Sequence, residues 1–212
     1  MAKSYYNVIE VLVNICAVDD GKLKIFLRHK KNDPYKGYWL LPGNIVPNNQ
    51  TLEESAEDTV INSTNFPSLF LIEGKTFSNL DRDPLERIIA CTFTSVTLKS
   101  LTNNPEMQWF EVDELPKLAY DHEIIAKENI KELKKQIMIN QNNILLKLFP
   151  NDFTLSELQH FFEYITDREL DRRNFRKKLI DSKIVVETGE KINTAGRPSK
   201  LYMFNKGDGP NE

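Results

Sequence analysis

Residues 39–66, WLLPGNIVPNNQTLEESAEDTVINSTNF, restrict the chain to a short strand, a loop anchored at Leu41-Pro42-Gly43 and one helix. Within the helical part, Leu52, Ala56 and Val60 recur at intervals of four. That spacing buries one stripe of a helix running from about Leu52 to Asn62. Glu53, Glu54, Glu57 and Asp58 fall largely on the other side, which reads as a solvated acidic face.

The flanking sequence supplies a sheet for that helix. Residues 7–18 and 22–29 are apolar-rich runs separated by Asp19-Asp20-Gly21, a hairpin signal. A turn-rich stretch, Lys31–Gly37, leads into Trp39. Phe70–Phe77 and Arg87–Val96 read as further strands, and Gln108–Val112 as a short one. From about Asp121 to Lys147 the period becomes helical, with Ile130, Leu133 and Ile137 on one side, as one helix or a pair meeting near Asn140–Asn143. Phe149-Pro150-Asn151-Asp152 then punctuates the chain.

The frame at 39–66 resembles the Nudix box of nucleoside diphosphate hydrolases, whose pattern is Gly, five residues, Glu, seven residues, Arg-Glu-apolar-x-Glu-Glu-x-Gly. Anchored on Leu41-Pro42-Gly43, that pattern puts Asn44 at the opening Gly and Gln50 at the first Glu. Asp58-Thr59 falls at the Arg-Glu pair, Asn62-Ser63 at the Glu-Glu pair and Asn65 at the closing Gly. The pattern's carboxylates hold divalent ions that neutralise a pyrophosphate and activate water. Neutral oxygens from Gln, Thr, Asn and Ser hold magnesium poorly, so hydrolysis by this route is not expected. A register with a loop about five residues shorter would instead gather Glu54, Glu57 and Asp58 as a residual metal site, at the cost of placing Ser55 where an apolar residue belongs.

The C-terminal part has its own signals. Thr154-Leu155-Ser156-Glu157 is a capping box opening a helix that buries Leu155, Leu158, Phe162 and Ile165. Asp171 caps a second helix, DRRNFRKKLIDS, in which Phe175 and Leu179 face a core while Arg172, Arg173, Arg176 and Lys177 fan outward. IVVETGE and KLYMF follow as two strands joined through Lys191–Ser199, whose tip, Gly196-Arg197-Pro198, is stiff and basic. Helix, helix and basic hairpin is the order of a winged helix-turn-helix. Charge agrees: Arg168–Lys200 carries ten basic against five acidic residues, leaving eighteen against twenty-six elsewhere. A basic segment on an acidic body calls for a polyanion partner for that segment alone.

Taken in order, WxLPG at Trp39–Gly43, LDRDPLER at Leu80–Arg87, WFEVDELPKLAYDH at Trp109–His122, FTLSELQ at Phe153–Gln159, LDRRNFRKKL at Leu170–Leu179, and TGEK with GRPSKLY at Thr188–Tyr202 resemble the Nudix-related transcriptional regulators of the NrtR type. The resemblance implies an α/β (α+β) Nudix fold, a mixed sheet with flanking helices, plus a C-terminal winged helix-turn-helix domain. It divides the chain into an effector-binding domain at 1–148, a DNA-binding domain at 149–206 and a disordered tail at 207–212. It further implies a homodimer repressing from a palindromic operator on double-stranded DNA, and a small-molecule effector such as ADP-ribose or a sugar derivative. Arg172, Arg173, Asn174, Arg176, Lys177, Arg197, Ser199 and Lys200 are the expected DNA contacts, and Arg82, Asp83, Arg87 and His122 the expected effector contacts. Neither a catalytic residue, a resident metal nor a cofactor is expected. The alternative is a divergent magnesium-dependent hydrolase of a nucleoside diphosphate derivative, dependent on Glu57 or Asp58.

Other classes find no support. No apolar run approaches the roughly 20 residues of a membrane span, and MAKSYYNVIEVLV lacks a signal-peptide pattern, so a cytoplasmic protein is expected. The two cysteines, Cys16 and Cys91, lie in apolar runs with no CxxC, which reads as two small buried hydrophobes. There is no GxSxG, HExxH or GxxxxGK[ST].

Overall fold

The computed structural model describes residues 7–19, 22–68, 70–97, 106–139, 149, 152–193 and 198–205. Its central strand is β1 (Val8–Asp19), antiparallel to β2 (Lys22–His29) and parallel to β6 (Ile88–Val96). The hairpin expected from Asp19-Asp20-Gly21 forms, with Asp19 opposite Lys22. β3 (Trp39–Leu40) extends the sheet beyond β2, and β5 (Phe70–Phe77) extends it beyond β6. β4 (Gly43–Ile45) pairs with β1, and β7 (Met107–Glu111) with β2. The sequence reading missed β4, which holds three residues and begins at a glycine. That glycine is required: a Cβ on Gly43 would lie 2.6 Å from both the Val11 carbonyl oxygen and Leu12 Cδ2.

β1 is apolar on both faces because a helix covers each. Val11, Val13 and Ile15 pack with Phe26 and Phe93 against Ala56 and Val60 of α1 (Leu52–Thr64). Leu12 and Cys16 point the other way, into a core with Ile125, Ala126, Ile130 and Leu133 of α2 (His122–Ile139). Alternation along a strand makes this division automatic. Asn14 is the polar exception on the α2 side. It is fully buried, donates to the Ala126 carbonyl at 3.0 Å and accepts from Asn129 at 3.3 Å. A buried amide with few available partners fixes the seat of α2 on the sheet.

The C-terminal elements are α3 (Leu155–Thr166), α4 (Arg172–Asp181), and the antiparallel strands β8 (Val185–Ile192) and β9 (Ser199–Phe204). The Thr154–Glu157 capping box forms in both directions, and Asp171 caps α4 by accepting the Asn174 N–H at 2.8 Å. Phe161 rather than Phe162 is the fully buried aromatic of α3, while Phe162 stacks at 5.6 Å on Phe175 of α4. Leu155, Leu158, Phe161, Leu179 and Phe204 belong to the same core as Leu12 and Leu27, so α3 rests directly on β2. Lys134 of α2 lies over the Tyr164 ring at 4.8 Å, a second tie between the two parts. The tail expected to be disordered, 207–212, and the Asn140–Asn143 junction lie outside the described residues. No described helix is long and apolar enough to cross a membrane. Cys16 is buried, which pushes its thiol up to about 12, while Cys91 is only half-buried.

Candidate functional site

Two concavities among the described residues fall one in each part of the chain. The first is a cleft of about 400 Å³ over the edge of β1, with Glu10, Arg28, Lys30, Gly43, Tyr120 and His122 on its walls. Its far rim is the 78–87 loop. The backbone of 117–119 is laced to β3, Trp39 donating to the Lys117 carbonyl at 3.0 Å and Ala119 donating back to Trp39 at 2.9 Å. That lacing delivers Tyr120, Asp121 and His122 to the cleft.

Arg82 is the hub of this arrangement. Its Nε and Nη2 grip both Asp121 oxygens at 3.0 and 2.9 Å, and Nη1 reaches Glu10 at 2.7 Å. The side chain is only 3% exposed. Burial acts to lower its pKa, but the hydrogen bonds and charges of Asp121 and Glu10 outweigh that and raise it. Burial pushes the Glu10 carboxyl above the ordinary carboxylate value, with Arg82 pulling it back part-way. Arg82 therefore joins β1, the 78–87 loop and the start of α2, and its donors are engaged in doing so. Asp83 reaches the cleft as the cap of its own turn, accepting from Leu85 and Glu86 N–H at 2.7 and 3.3 Å. Arg87 is placed differently from the sequence expectation. Its Nη1 donates to the Ser78 and Asn79 carbonyls at 2.7 and 3.0 Å, tying the loop's ends, and it does not line the cleft.

His122 is buried, and its Nδ1 accepts the Leu41 N–H at 3.1 Å. An accepting Nδ1 leaves the ring proton on Nε2. Burial, and then the positive charges of Arg82, Arg28 and Lys30, push its pKa down to about 3. The ring is thus a neutral donor at physiological pH. The unfolded chain, with an ordinary histidine, takes up a proton as pH falls below about 6.5 that the folded chain refuses until about 3. Stability is therefore lost with falling pH across that window. Between pH 7.5 and 5 the native protein should lose about 2 kcal/mol more than His122→Gln does. Urea midpoints at the two pH values check this, and parallel losses in both proteins would refute it.

The residues that sequence reading missed here are Arg28, Lys30 and Tyr120. Arg28 and Lys30 extend β2's alternation past its apolar run, where a basic residue reads as solvated. Tyr120 stands in left-handed backbone (φ 55°), buttressed edge-on by Tyr35 at 4.8 Å, itself at φ 68°. Lys30 Nζ lies 5.6 Å from the Tyr120 ring centroid. Two non-glycine residues held in that region mark a constrained aromatic corner.

Along α1 the box carboxylates diverge. Glu54 closes the Thr51 capping box, Glu57 accepts the Ser68 N–H at 2.8 Å, and Asp58 accepts from Gln50 Nε2 at 2.6 Å. The acidic face expected to be solvated is thus half-buried at Glu57 and Asp58, because each caps a neighbouring segment. No cluster of three or more His, Cys, Asp or Glu side chains able to hold a metal ion occurs among the described residues. The Glu54, Glu57 and Asp58 metal site does not assemble. A smaller recess of about 250 Å³ beside α1 is lined instead by Asn44, Thr59, Asn62, Ser63 and Arg28.

The second concavity, about 370 Å³, lies between the N-terminal end of α3, α4 and the β9 wing, with Ser156, Arg172, Arg176, Ser199 and Lys200 on its walls. The first-turn N–H groups of a helix lack intrahelical partners and favour anions. Arg176 does not fan outward as expected: Nη2 donates to Ser156 Oγ at 2.8 Å, and its Nε is buried with no partner among the described residues. Burial and the neighbouring Arg172 charge pull its pKa down. Lys200 pairs with Glu187 across the wing at 2.8 Å. Arg172, Arg173, Asn174 and Lys177 are exposed on α4. Arg197 lies outside the described residues.

Comparison with known proteins bears on both concavities. The family model for the NrtR DNA-binding winged helix domain matches residues 145–204. The ADPR-responsive transcriptional repressor NtrR of Acinetobacter baylyi is 29% identical over 199 residues, covering 90% of this chain and 79% of the relative. An ADP-ribose pyrophosphatase of Methanocaldococcus jannaschii is 31% identical over 134 residues, covering 61% of this chain and 79% of its own. The chain joins a Nudix-like domain to a C-terminal NrtR-type winged helix domain. Its fold is that of Shewanella oneidensis NrtR crystallised with a 27mer DNA, with a TM-score of 0.78 at 21% identity over 93% of each chain. A Nudix-like mixed α/β domain followed by an NrtR winged helix accounts for every described element.

Proposed function

We propose that this NrtR-type protein is a transcriptional repressor that binds operator DNA through its winged helix and is released by ADP-ribose held in the Nudix-like cleft. The carrying observation is the cleft's composition. It keeps cations (Arg28, Lys30), an aromatic corner (Tyr120) and a neutral imidazole donor (His122), while the box positions that would hold metal are Thr59, Asn62 and Ser63. That lining suits a nucleoside diphosphate sugar that is bound and not cleaved. The repressor from A. baylyi, similar along 90% of this chain, is named for its response to ADPR, which supports the same ligand.

In this reading residues 1–148 bind the effector and 149–206 bind DNA. Arg173, Asn174 and Lys177 on the exposed face of α4 meet base edges, while Arg172, Arg176, Ser199 and Lys200 around the groove, with Arg197 at the wing tip, meet phosphate. Arg82, Asp83 and His122 shape the effector cleft, and Arg87 only ties its loop. Two copies act together on a palindrome, an arrangement supported by the large apolar side chains beside the cleft: Leu80 is 82% and Leu85 75% exposed. Arg28 and Lys30 lie at the end of β2, whose Leu23, Ile25 and Leu27 share the core under α3, so a ligand that moves the two cations shifts the winged helix with them.

The test is binding to a labelled duplex from the region upstream of the protein's own coding sequence, beside a random duplex and across a salt series. Specific binding at physiological salt, weakened about 5–150-fold by saturating ADP-ribose, is expected for a coupling of ordinary size. Equal, salt-fragile binding to both duplexes would sink the regulatory reading. The similarity to a pyrophosphatase motivates one control: incubation with ADP-ribose and magnesium should leave the nucleotide intact.

A further inference from the structure

Divalent cations that a Nudix pyrophosphate site ordinarily employs do not fit the residues present: the box helix offers Thr59, Asn62 and Ser63, and Glu54, Glu57 and Asp58 are engaged elsewhere. A diphosphate still needs positive charge. Arg82 is not the source, since its guanidinium is occupied by Asp121 and Glu10 and is nearly inaccessible. Arg28 is different. It borders both the 400 Å³ cleft and the 250 Å³ recess beside α1, and its guanidinium enters no hydrogen bond or ion pair among the described residues. It also projects from the end of a strand paired on both sides, to Leu40 and to Met107, so its base is rigid.

We propose that Arg28 is the diphosphate anchor of this cleft and takes over the task of the metal ions, so that effector binding is independent of divalent cations. A guanidinium presents a planar fork of N–H donors that matches two phosphate oxygens at once. Asn44, Asn62 and Ser63 beside it supply neutral donors that do not repel the anion, which the carboxylates of a hydrolase would do in the absence of metal. The exchange explains why the acidic set is absent without the cleft being lost. Retention of Glu residues at those positions beside an unpaired arginine would leave the arginine neutralised by them. This inference rests on the effector reading for its ligand, but its chemistry concerns the diphosphate alone.

The experiment is calorimetric titration of the full chain with ADP-ribose, and with inorganic pyrophosphate as a second probe, each in excess chelator and in excess magnesium. For the native chain the ADP-ribose affinity should agree within about twofold between the two conditions. Arg28→Ala should lose roughly 10–150-fold in chelator, the usual range for one charge-assisted contact, and Arg28→Lys should recover part of that loss. Adenosine, lacking phosphate, serves as the readout for general damage to the cleft: its binding should be equal in native and variant proteins. Binding that requires magnesium, or an Arg28→Ala affinity equal to native, overturns the proposal while leaving ADP-ribose as the effector. Pyrophosphate binding that depends on Arg28, with no binding of ADP-ribose, keeps the anchor and overturns the effector. Absence of both overturns both.

Discussion

Replacing Arg82 by methionine is expected to destabilise the protein by about 3–5 kcal/mol at pH 7.5, the usual cost of leaving buried partners of an ion pair uncompensated. Methionine fills similar space, so the loss is chiefly electrostatic. Asp121 would lose the bidentate partner of both its oxygens, and Glu10 its 2.7 Å contact, at a site where burial already raises the Glu10 pKa. The pH dependence gives the loss a signature. With Arg82 gone, the Glu10 carboxyl rises further above its unfolded value, so the folded variant takes up a proton before the unfolded chain does. Lowering the pH then stabilises the variant relative to the native protein, opposite in sign to the His122 effect. Urea unfolding from pH 8 to 5 reads both. A loss under about 1 kcal/mol at pH 7.5, or a deficit that widens on acidification, would show that the Arg82 cluster does not hold the cleft together.

That cluster also shows where the sequence was legible. LDRDPLER drew attention to Arg82, Asp83 and Arg87 as a group, and the group does occupy one loop. The sequence could not divide its labour, because Arg82 meets Glu10, seventy-two positions away, and Asp121, thirty-nine away. Partners so remote leave no local periodicity. Capping boxes behave oppositely: Thr154 and Glu157 are three apart, and their reciprocal bonds were readable before any tertiary structure. Both faces of β1 were visible as one apolar run, yet β4 was not, since three residues carry no pattern and its pairing depends on Gly43 meeting β1. Arg28 escaped notice for a related reason. A basic residue closing a strand has a solvated reading until the fold brings Asn44, Asn62 and Ser63 beside it. In the C-terminal part the helices, their caps and the wing strands were legible from local signals. What was not was the inward turn of Arg176, fixed by Ser156 twenty positions earlier.

The difference between Arg176 and its neighbours yields the second large effect. Arg173→Ala combined with Lys177→Ala should lower affinity for the cognate duplex by at least about thirtyfold, taking 1–3 kcal/mol for each base-edge contact. The two side chains lie four residues apart on one exposed face of α4 and enter no hydrogen bond or ion pair among the described residues, so the unfolding free energy from urea titration should change by no more than about 0.5 kcal/mol. Arg176→Ala should behave otherwise. It removes a cation from the groove at the α3 N-terminus, which the proposed reading sets against sugar-phosphate, so affinity should fall alike for cognate and random duplexes, with the salt slope shallower by about one. Loss of specificity in the first variant with uniform weakening in the second would place α4 across the bases and the groove on the backbone. If the double variant still distinguishes the two duplexes as the native protein does, α4 is not the reading helix, and the exposed wing becomes the next surface to alter.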